Sequence, residues 1–182
     1  MQWRADDSNP RHVEGTAAVF NSRSEDMGFF ETIDPAAIDN ETIARSDVFA
    51  YLNHDPQRGI LARAKNGRGS LQLSVDGDGL HYAFDAPRTA LGDELLEYLH
   101  RGDITASSFA FTVEQDEWRN VNGKPQRTIL KIDRLYDVSP VFTPAYTATS
   151  VAQRKADEMA NANADVLKHL ELIEKEVEKI FS

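Results

Sequence analysis

The sequence predicts a mainly β fold with a few helices (α+β), arranged as a closed or partly open antiparallel β-barrel and followed by a C-terminal helix. Two observations support this prediction. Asn-Gly or Asp-Gly pairs stand at 66–67, 78–79 and 122–123, each between segments rich in strand-forming residues. Such pairs are the strongest short-range signal of a β-hairpin. The segment from residue 153 onward, by contrast, has neither glycine nor proline and repeats apolar residues at helical spacing.

The predicted strands follow from these turns. We expect three consecutive antiparallel strands around the first two turns, a hairpin around the third, and one further strand near each end of the body. The predicted strands are residues 15–20, 60–65, 70–75, 80–85, 109–118, 126–135 and 139–143. Strands of this number and spacing favour a barrel or a sandwich.

Two helices are expected between the strands. Residues 35–45 form a short helix, with Asp34 as its N-cap and Pro35 at the first helical position. Residues 89–100 form a longer helix, because leucines recur at every fourth position and Gly102 follows as a C-terminal stop. These leucines are Leu91, Leu95 and Leu99.

The chain divides into a β-rich body, residues 1–152, and a helical tail, residues 153–182. Apolar residues of the tail follow a 4-3-4-3 spacing: Val166, Leu170, Ile173, Val177 and Ile180. A coiled coil needs about three or four heptads to be predicted firmly. A short coiled coil and a helix docked on its own body therefore stay open as alternatives.

Composition excludes several classes of function. The absence of cysteine excludes disulfides, thiolate metal sites and a cysteine nucleophile. A formal net charge of -10 gives no broad basic surface for nucleic acid or an anionic membrane. No segment approaches the ~18 consecutive apolar residues of a membrane span, and residues 1–7 lack the apolar stretch of a signal peptide. We therefore expect a soluble intracellular protein with no nucleic-acid or membrane partner.

A serine pair is the first candidate for chemistry. Without cysteine, covalent catalysis needs serine, threonine, lysine or a carboxylate. Ser107 and Ser108 lie where the helix stop gives way to an apolar strand. A hydroxyl at a strand start can be held rigidly towards a cleft, but this segment alone fits ordinary loop-to-strand hydroxyls better.

A histidine and a carboxylate are the second and third candidates. His54 lies in the polar loop 51–56, where a base, a metal ligand and an exposed turn residue are all open. A metal site is the weakest of these, because no second histidine follows three or four positions later. Asp137 lies in an apolar run, where a carboxylate costs stability unless it faces solvent or pairs with a group such as Arg134. Spacing alone does not bring Asp137 to His54.

Together these segments resemble a known family, the prohead (capsid maturation) serine proteases of tailed bacteriophages. The family is related in fold to the herpesvirus assemblins, so the resemblance implies a barrel of the herpesvirus-protease type. It rests on residues 15–20, 52–55, 102–111 and 137–146, which occur in the family's order and span roughly residues 12 to 152.

By position, the resemblance implies Ser108 as nucleophile, His54 as general base and Asp137 as the third member, where the family has Glu or Asp. Ser107 leaves an ambiguity of one residue in the register. Because neighbouring strand residues point to opposite faces, only one of the two serines can meet His54, and we favour Ser108. The family often has glycine where Ala106 and Ala110 stand, so the backbone around the nucleophile is expected to differ slightly.

The resemblance also implies a biological role. Such a protease acts inside the immature capsid (prohead) in the host cytoplasm, where it cleaves the scaffold and delta segments of the phage major capsid protein, and itself. It implies a homo-oligomer, as in the dimeric herpesvirus relatives, and oxyanion donors near residues 143–146. No cofactor and no metal are expected.

Two further interpretations remain open. The first is an inactive relative that acts as a capsid-assembly scaffold through its helical tail. The second is a small-ligand-binding β-barrel whose serine and histidine are incidental, which predicts no covalent adduct with a serine-directed electrophile.

Overall fold

The structure is a computed structural model that describes residues 9–24 and 26–143. This part of the chain contains nine strands, two α-helices and one 3₁₀ helix. In chain order they are β1 (His12–Val19), β2 (Phe30–Ile33), α1 (Asn40–Arg45), β3 (Asp47–Ala50), the 3₁₀ helix (Pro56–Arg58), β4 (Ala62–Lys65), β5 (Arg68–Gly69), β6 (Gln72–Val75), β7 (Gly79–Asp85), α2 (Ala90–Arg101), β8 (Ala106–Val121) and β9 (Lys124–Val141).

The strands form two sheets. One has three antiparallel strands in the order β1-β7-β6, and the other has six, in the order β2-β9-β3-β4-β5 with β8 also paired to β9. The mainly β fold with few helices is confirmed. Neither sheet closes on itself within the residues that the structure describes, so the predicted closed barrel is not found there. The expectation of purely antiparallel pairing is wrong, because β2 and β3 run parallel to β9.

Strand β9 organises the larger sheet. The sequence predicted two strands, 126–135 and 139–143, where the structure has one strand of 18 residues. Along one edge β9 pairs with β8, and along the other it meets β2 at residues 126–129 and β3 at Asp137. Asp137 therefore lies inside a continuous strand, at the point where three strands adjoin.

All three predicted turns connect neighbouring strands. Asn66-Gly67 joins β4 to β5, and Asn122-Gly123 joins β8 to β9. All four of these residues have positive φ angles, between 53° and 80°, which is the backbone conformation that a type I′ hairpin requires. The third pair, Asp78-Gly79, lies between β6 and β7, and β7 begins at Gly79.

The first helix is shorter than predicted. It begins at Asn40, and its N-cap is Asp39, whose carboxylate accepts a hydrogen bond from the Thr42 N–H at 2.7 Å. Asp34 instead accepts from the Ala36 N–H at 2.8 Å and stabilises a separate turn. Asp34 and Asp39 both precede the helix, and aspartate is a favoured N-cap residue. The sequence prediction placed the N-cap at Asp34, five residues too early. The second helix is confirmed, with Thr89 as N-cap and Gly102 as C-cap in the left-handed conformation.

One hydrophobic core is shared by both sheets and α2. Val13 of β1, Phe84 of β7, Val48 of β3, Leu95 of α2 and Leu135 of β9 are each 2% exposed or less. Because β9 contributes several residues to this core, two of its polar residues, Asp137 and Ser139, are buried as well.

The predicted tail and the boundary at residue 152 lie outside the described residues. Among the helices that the structure does describe, none has the length and apolarity to cross a membrane.

Candidate active site

His54 lies in a tight loop between β3 and the 3₁₀ helix. Both Asn53 and His54 have φ of 56°, in the left-handed region, which costs a non-glycine residue roughly 1–2 kcal/mol. The Asn53 N–H donates to the carbonyl of Pro140 in β9 at 2.9 Å. The loop is therefore fastened to β9 in a conformation of the kind that clusters at functional sites.

The structure brings His54 and Asp137 together. The Nδ1 atom of His54 lies 2.5 Å from Oδ1 of Asp137, and their side chains are only 6% and 10% exposed. The same carboxylate oxygen accepts a hydrogen bond from the Ser139 hydroxyl at 2.7 Å. The two simpler roles considered for Asp137, exposure to solvent and pairing with Arg134, are therefore wrong.

These contacts indicate the tautomer of His54. A carboxylate is an acceptor only, so the Nδ1 atom of His54 carries the hydrogen that it shares with Asp137. In the neutral ring the lone pair then lies on Nε2. The Nε2 atom is buried and has no hydrogen-bond partner among the described residues. A histidine held in this way can accept a proton at Nε2.

Ser108 lies on the same face of the sheet as Asp137. It pairs directly with Ser139 across the antiparallel β8/β9 ladder, and Ala110 pairs with Asp137. Directly opposed residues share a face, as do residues two apart on one strand. Ser108 is 6% exposed. Ser108 makes no hydrogen bond with the Nε2 atom of His54.

Ser107 lies on the opposite face of β8. Its hydroxyl is 2.8 Å from the Tyr82 hydroxyl on β7. Burial raises the pKa of Tyr82 to about 12, so the phenol stays neutral and can share a hydrogen with Ser107. The two adjacent serines therefore have separate surroundings, and only Ser108 shares a face with Asp137.

The family model for caudovirus prohead serine proteases matches residues 1–163. The chain belongs to this family. Neither the curated proteins nor the solved structures include a significant match.

Family membership confirms the resemblance and the enzyme class predicted from the sequence. The prohead protease is a serine peptidase of bacteriophage capsid maturation, an enzyme that acts on phage capsid proteins inside the immature capsid.

Gly15 of β1 lies directly against the Tyr82 side chain of β7. A Cβ atom at this position would lie 2.6 Å from the Tyr82 hydroxyl oxygen. Only glycine leaves room for the Tyr82 ring to lie against β1 and to reach Ser107. Sequence analysis missed this role, because nothing in the sequence shows that Gly15 pairs with Tyr82 across β1 and β7.

Ser139 is the site residue that sequence analysis missed. It is fully buried and bonded to Asp137. The signal was present, because a serine two positions after a buried strand aspartate lies on the same face of the strand. It was not used, since the predicted strands ended at 135 and resumed at 139.

No cation site accompanies these residues. Within residues 9–24 and 26–143, no group of three or more His, Asp or Glu side chains is arranged to hold a metal. Of the predicted oxyanion segment, residues 144–146 lie outside the described part of the chain.

Proposed function

We propose that the prohead protease is an endopeptidase in which Ser108 is the nucleophile, His54 the general base and Asp137 the residue that orients the base. Its proposed substrates are the scaffold and delta segments of the phage major capsid protein, and its own chain, inside the prohead in the host cytoplasm. The proposed assembly is a homo-oligomer.

The main support for the proposal is that Ser108 of β8 and Asp137 of β9 lie on the same face of the sheet. A buried His–Asp pair, with the histidine lone pair on Nε2, lies on the face that Ser108 also occupies. Ser107, the competing nucleophile, is on the other face and bonded to Tyr82. A serine, a base and a base-orienting carboxylate are the parts that acyl transfer needs.

In the proposed reaction, the Ser108 oxygen attacks the carbonyl carbon of the scissile peptide bond while its hydrogen passes to His54 Nε2. Asp137 keeps the Nδ1–H of His54 in place and stabilises the imidazolium that forms. The imidazolium then gives its proton to the leaving amine, which releases the first product and leaves an acyl-enzyme. Water, deprotonated by His54, hydrolyses that ester and restores Ser108.

Ala106 and Ala110 fit this chemistry. Both lie on the same face as Ser108, two positions before and after it. Their methyl groups are the smallest side chains after glycine, so a peptide can approach Ser108 with little obstruction from its own strand.

The test compares Ser108→Ala with Ser107→Ala in the full-length chain. Each variant is expressed with the phage capsid protein and scaffold, and products are identified by intact mass. Labelling by a fluorophosphonate is measured in parallel. We expect cleavage and labelling in the wild type and in Ser107→Ala, and neither in Ser108→Ala.

Three results would contradict the proposal. Equal cleavage by Ser108→Ala and the wild type would remove Ser108 as nucleophile. Loss of labelling in Ser107→Ala alone would move the nucleophile to Ser107. Neither cleavage nor labelling in the wild type would favour the inactive scaffold.

A further inference from the structure

We propose that Ser139 is a positioning residue of this protease, which fixes the Asp137 carboxylate in the orientation that receives the Nδ1–H of His54. This inference rests on the proposed catalytic roles of Ser108, His54 and Asp137. It adds to them a residue that touches neither the substrate nor the reacting atoms.

The two hydrogen-bond partners of the Ser139 hydroxyl determine where its hydrogen points. A serine hydroxyl has one hydrogen and two lone pairs. The Ser139 oxygen lies 3.4 Å from the Tyr51 N–H, which can only donate, and 2.7 Å from Asp137 Oδ1. The single hydrogen of Ser139 therefore goes to Asp137. Because Ser139 is 0% exposed, no bulk water competes for this bond.

The carboxylate of Asp137 needs a second contact to be held in place. The last side-chain torsion of an aspartate is broad, so one hydrogen bond leaves the carboxylate free to rotate about it. His54 and Ser139 both bond to the same oxygen, Oδ1. Hydrogen bonds to a charged acceptor are shorter and stronger than neutral ones, and two such bonds to one oxygen fix its direction.

Ser139 also lies where the parts of the site meet. It pairs with Ser108 across the ladder and lies two residues from Asp137 on its own strand. The Tyr51 N–H begins the loop that carries His54, and the residue after Ser139, Pro140, accepts the Asn53 N–H. The hydroxyl of Ser139 therefore lies between the nucleophile strand, the base loop and the carboxylate.

Ser46 provides a matched control. It is also a buried serine, 1% exposed, and its hydroxyl makes two hydrogen bonds. It donates to the Thr42 carbonyl at 2.6 Å and accepts from the N–H of Leu135 in β9 at 3.1 Å. Ser46→Ala deletes the same group from the neighbourhood of the same strand without touching Asp137.

The experiment measures fluorophosphonate labelling of the full-length protease, separated into the maximal labelling rate and the half-saturating probe concentration. The variants are Ser139→Ala, Ser139→Cys, Ser46→Ala and Asp137→Asn, together with the double variant Ser139→Ala/Asp137→Asn. Ser139→Cys keeps the side-chain shape, with a somewhat larger atom in place of the oxygen and only a weak donor, so it reports on the hydroxyl even where the alanine variant fails to fold. Thermal unfolding is recorded for each protein.

We expect Ser139→Ala to lower the maximal labelling rate by about 10–100-fold, the usual effect of losing a hydrogen bond to a charged group. The half-saturating concentration should not change. Ser139→Cys should be intermediate, and Ser46→Ala should stay within about twofold of the wild type at a comparable loss of thermal stability. In the Asp137→Asn background, removal of Ser139 should have little further effect, because Ser139 acts through Asp137.

Two results would overturn the inference: equal labelling rates for Ser139→Ala and Ser46→Ala, or an undiminished effect of Ser139→Ala in the Asp137→Asn background. If the proposed catalytic roles themselves were wrong, the labelling results would be different from these two. In that case Ser108→Ala would be labelled as fast as the wild type, or the wild type would not be labelled at all.

Discussion

The imidazole of His54 and the carboxylate of Asp137 lie 2.5 Å apart, although 83 positions separate them in the chain. The parallel contact between Phe49 of β3 and Asp137 of β9 brings them together, since His54 lies in the loop just after β3. The pair is a product of strand order rather than of any local motif.

Asp137→Asn should lower kcat by about 10⁴-fold with KM nearly unchanged, the effect of this change in a serine-protease triad. An amide can donate to Nδ1, which moves the ring hydrogen to Nε2 and removes the lone pair that accepts the Ser108 proton. The measurement is steady-state cleavage of capsid protein. Asp133→Asn, on the same strand but outside the site, is the control. Similar losses in the two variants would argue against the orienting role.

Gly15→Ala should destabilise the protein by about 1–3 kcal/mol, the usual effect of inserting a methyl group into a packed site. The new Cβ would meet the Tyr82 hydroxyl and displace it from Ser107. Urea unfolding measures the change. Gly77→Ala is the control, because its added Cβ meets nothing within 4 Å and its backbone is not in the left-handed region. Equal stability of the two variants would show that Tyr82 does not need this space.

Arg127→Met should destabilise the protein by about 3–5 kcal/mol, because it removes the positive partner of buried ion pairs and leaves their carboxylates in place. The Arg127 side chain is 4% exposed and lies 3.0 Å from Glu31 of β2 and 2.6 Å from Asp116 of β8. Chemical denaturation of the variant gives the loss directly.

Arg119→Met is the control for Arg127→Met. Its side chain is 70% exposed and pairs with Glu117, so we expect a change of about 0.5 kcal/mol or less. A loss for Arg127→Met no larger than this would contradict a structural role for the buried pair.

Asp39→Ala should cost about 1 kcal/mol at neutral pH, the usual effect of losing a helix N-cap. Hydrogen bonds from the Thr42 N–H and hydroxyl lower the pKa of Asp39 from its usual 3.8. Because the folded-state pKa is lowered, this contribution is present above pH 3.8 and is lost as the pH falls through the lowered value.

The stability difference between the wild type and Asp39→Ala should therefore shrink on acidification. Asp39→Asn keeps a capping oxygen that does not titrate, so its advantage over alanine should not follow this trend. Urea unfolding of the three proteins at several pH values tests this. A gap between wild type and alanine that stays constant to low pH would contradict the capping role of the charged form.

The sequence predicted the hairpin turns and the second helix well, because these features depend on neighbouring residues, whereas it placed the N-cap of the first helix at Asp34 instead of Asp39. Asn66-Gly67 and Asn122-Gly123 are examples of such turns. Strand β2 was missed, because its pairing with β9 is parallel and leaves no turn signal; Glu31 and Arg127 meet across 96 positions. The same limit applies to closure of the barrel, which depends on how distant strands pair.

The candidate site was predictable residue by residue but not as an arrangement. The resemblance to the family, together with strand alternation, favoured Ser108 over Ser107, and in the structure the Ser107 hydroxyl lies against Tyr82 on the other face. The contact between His54 and Asp137 needed the parallel strand order. Ser139 needed knowledge that β9 continues unbroken through Asp137.

The long span between His54 and Asp137 also matters while the protease is being made. Ribosomes add about 5–20 residues per second, so the 83 positions between the two residues take roughly 4 to 17 s to translate. Until β9 has been synthesised and has joined the sheet, the nascent chain holds a histidine with no carboxylate to orient it. In the proposed mechanism, the general base therefore has no orienting carboxylate until residue 137 has been translated.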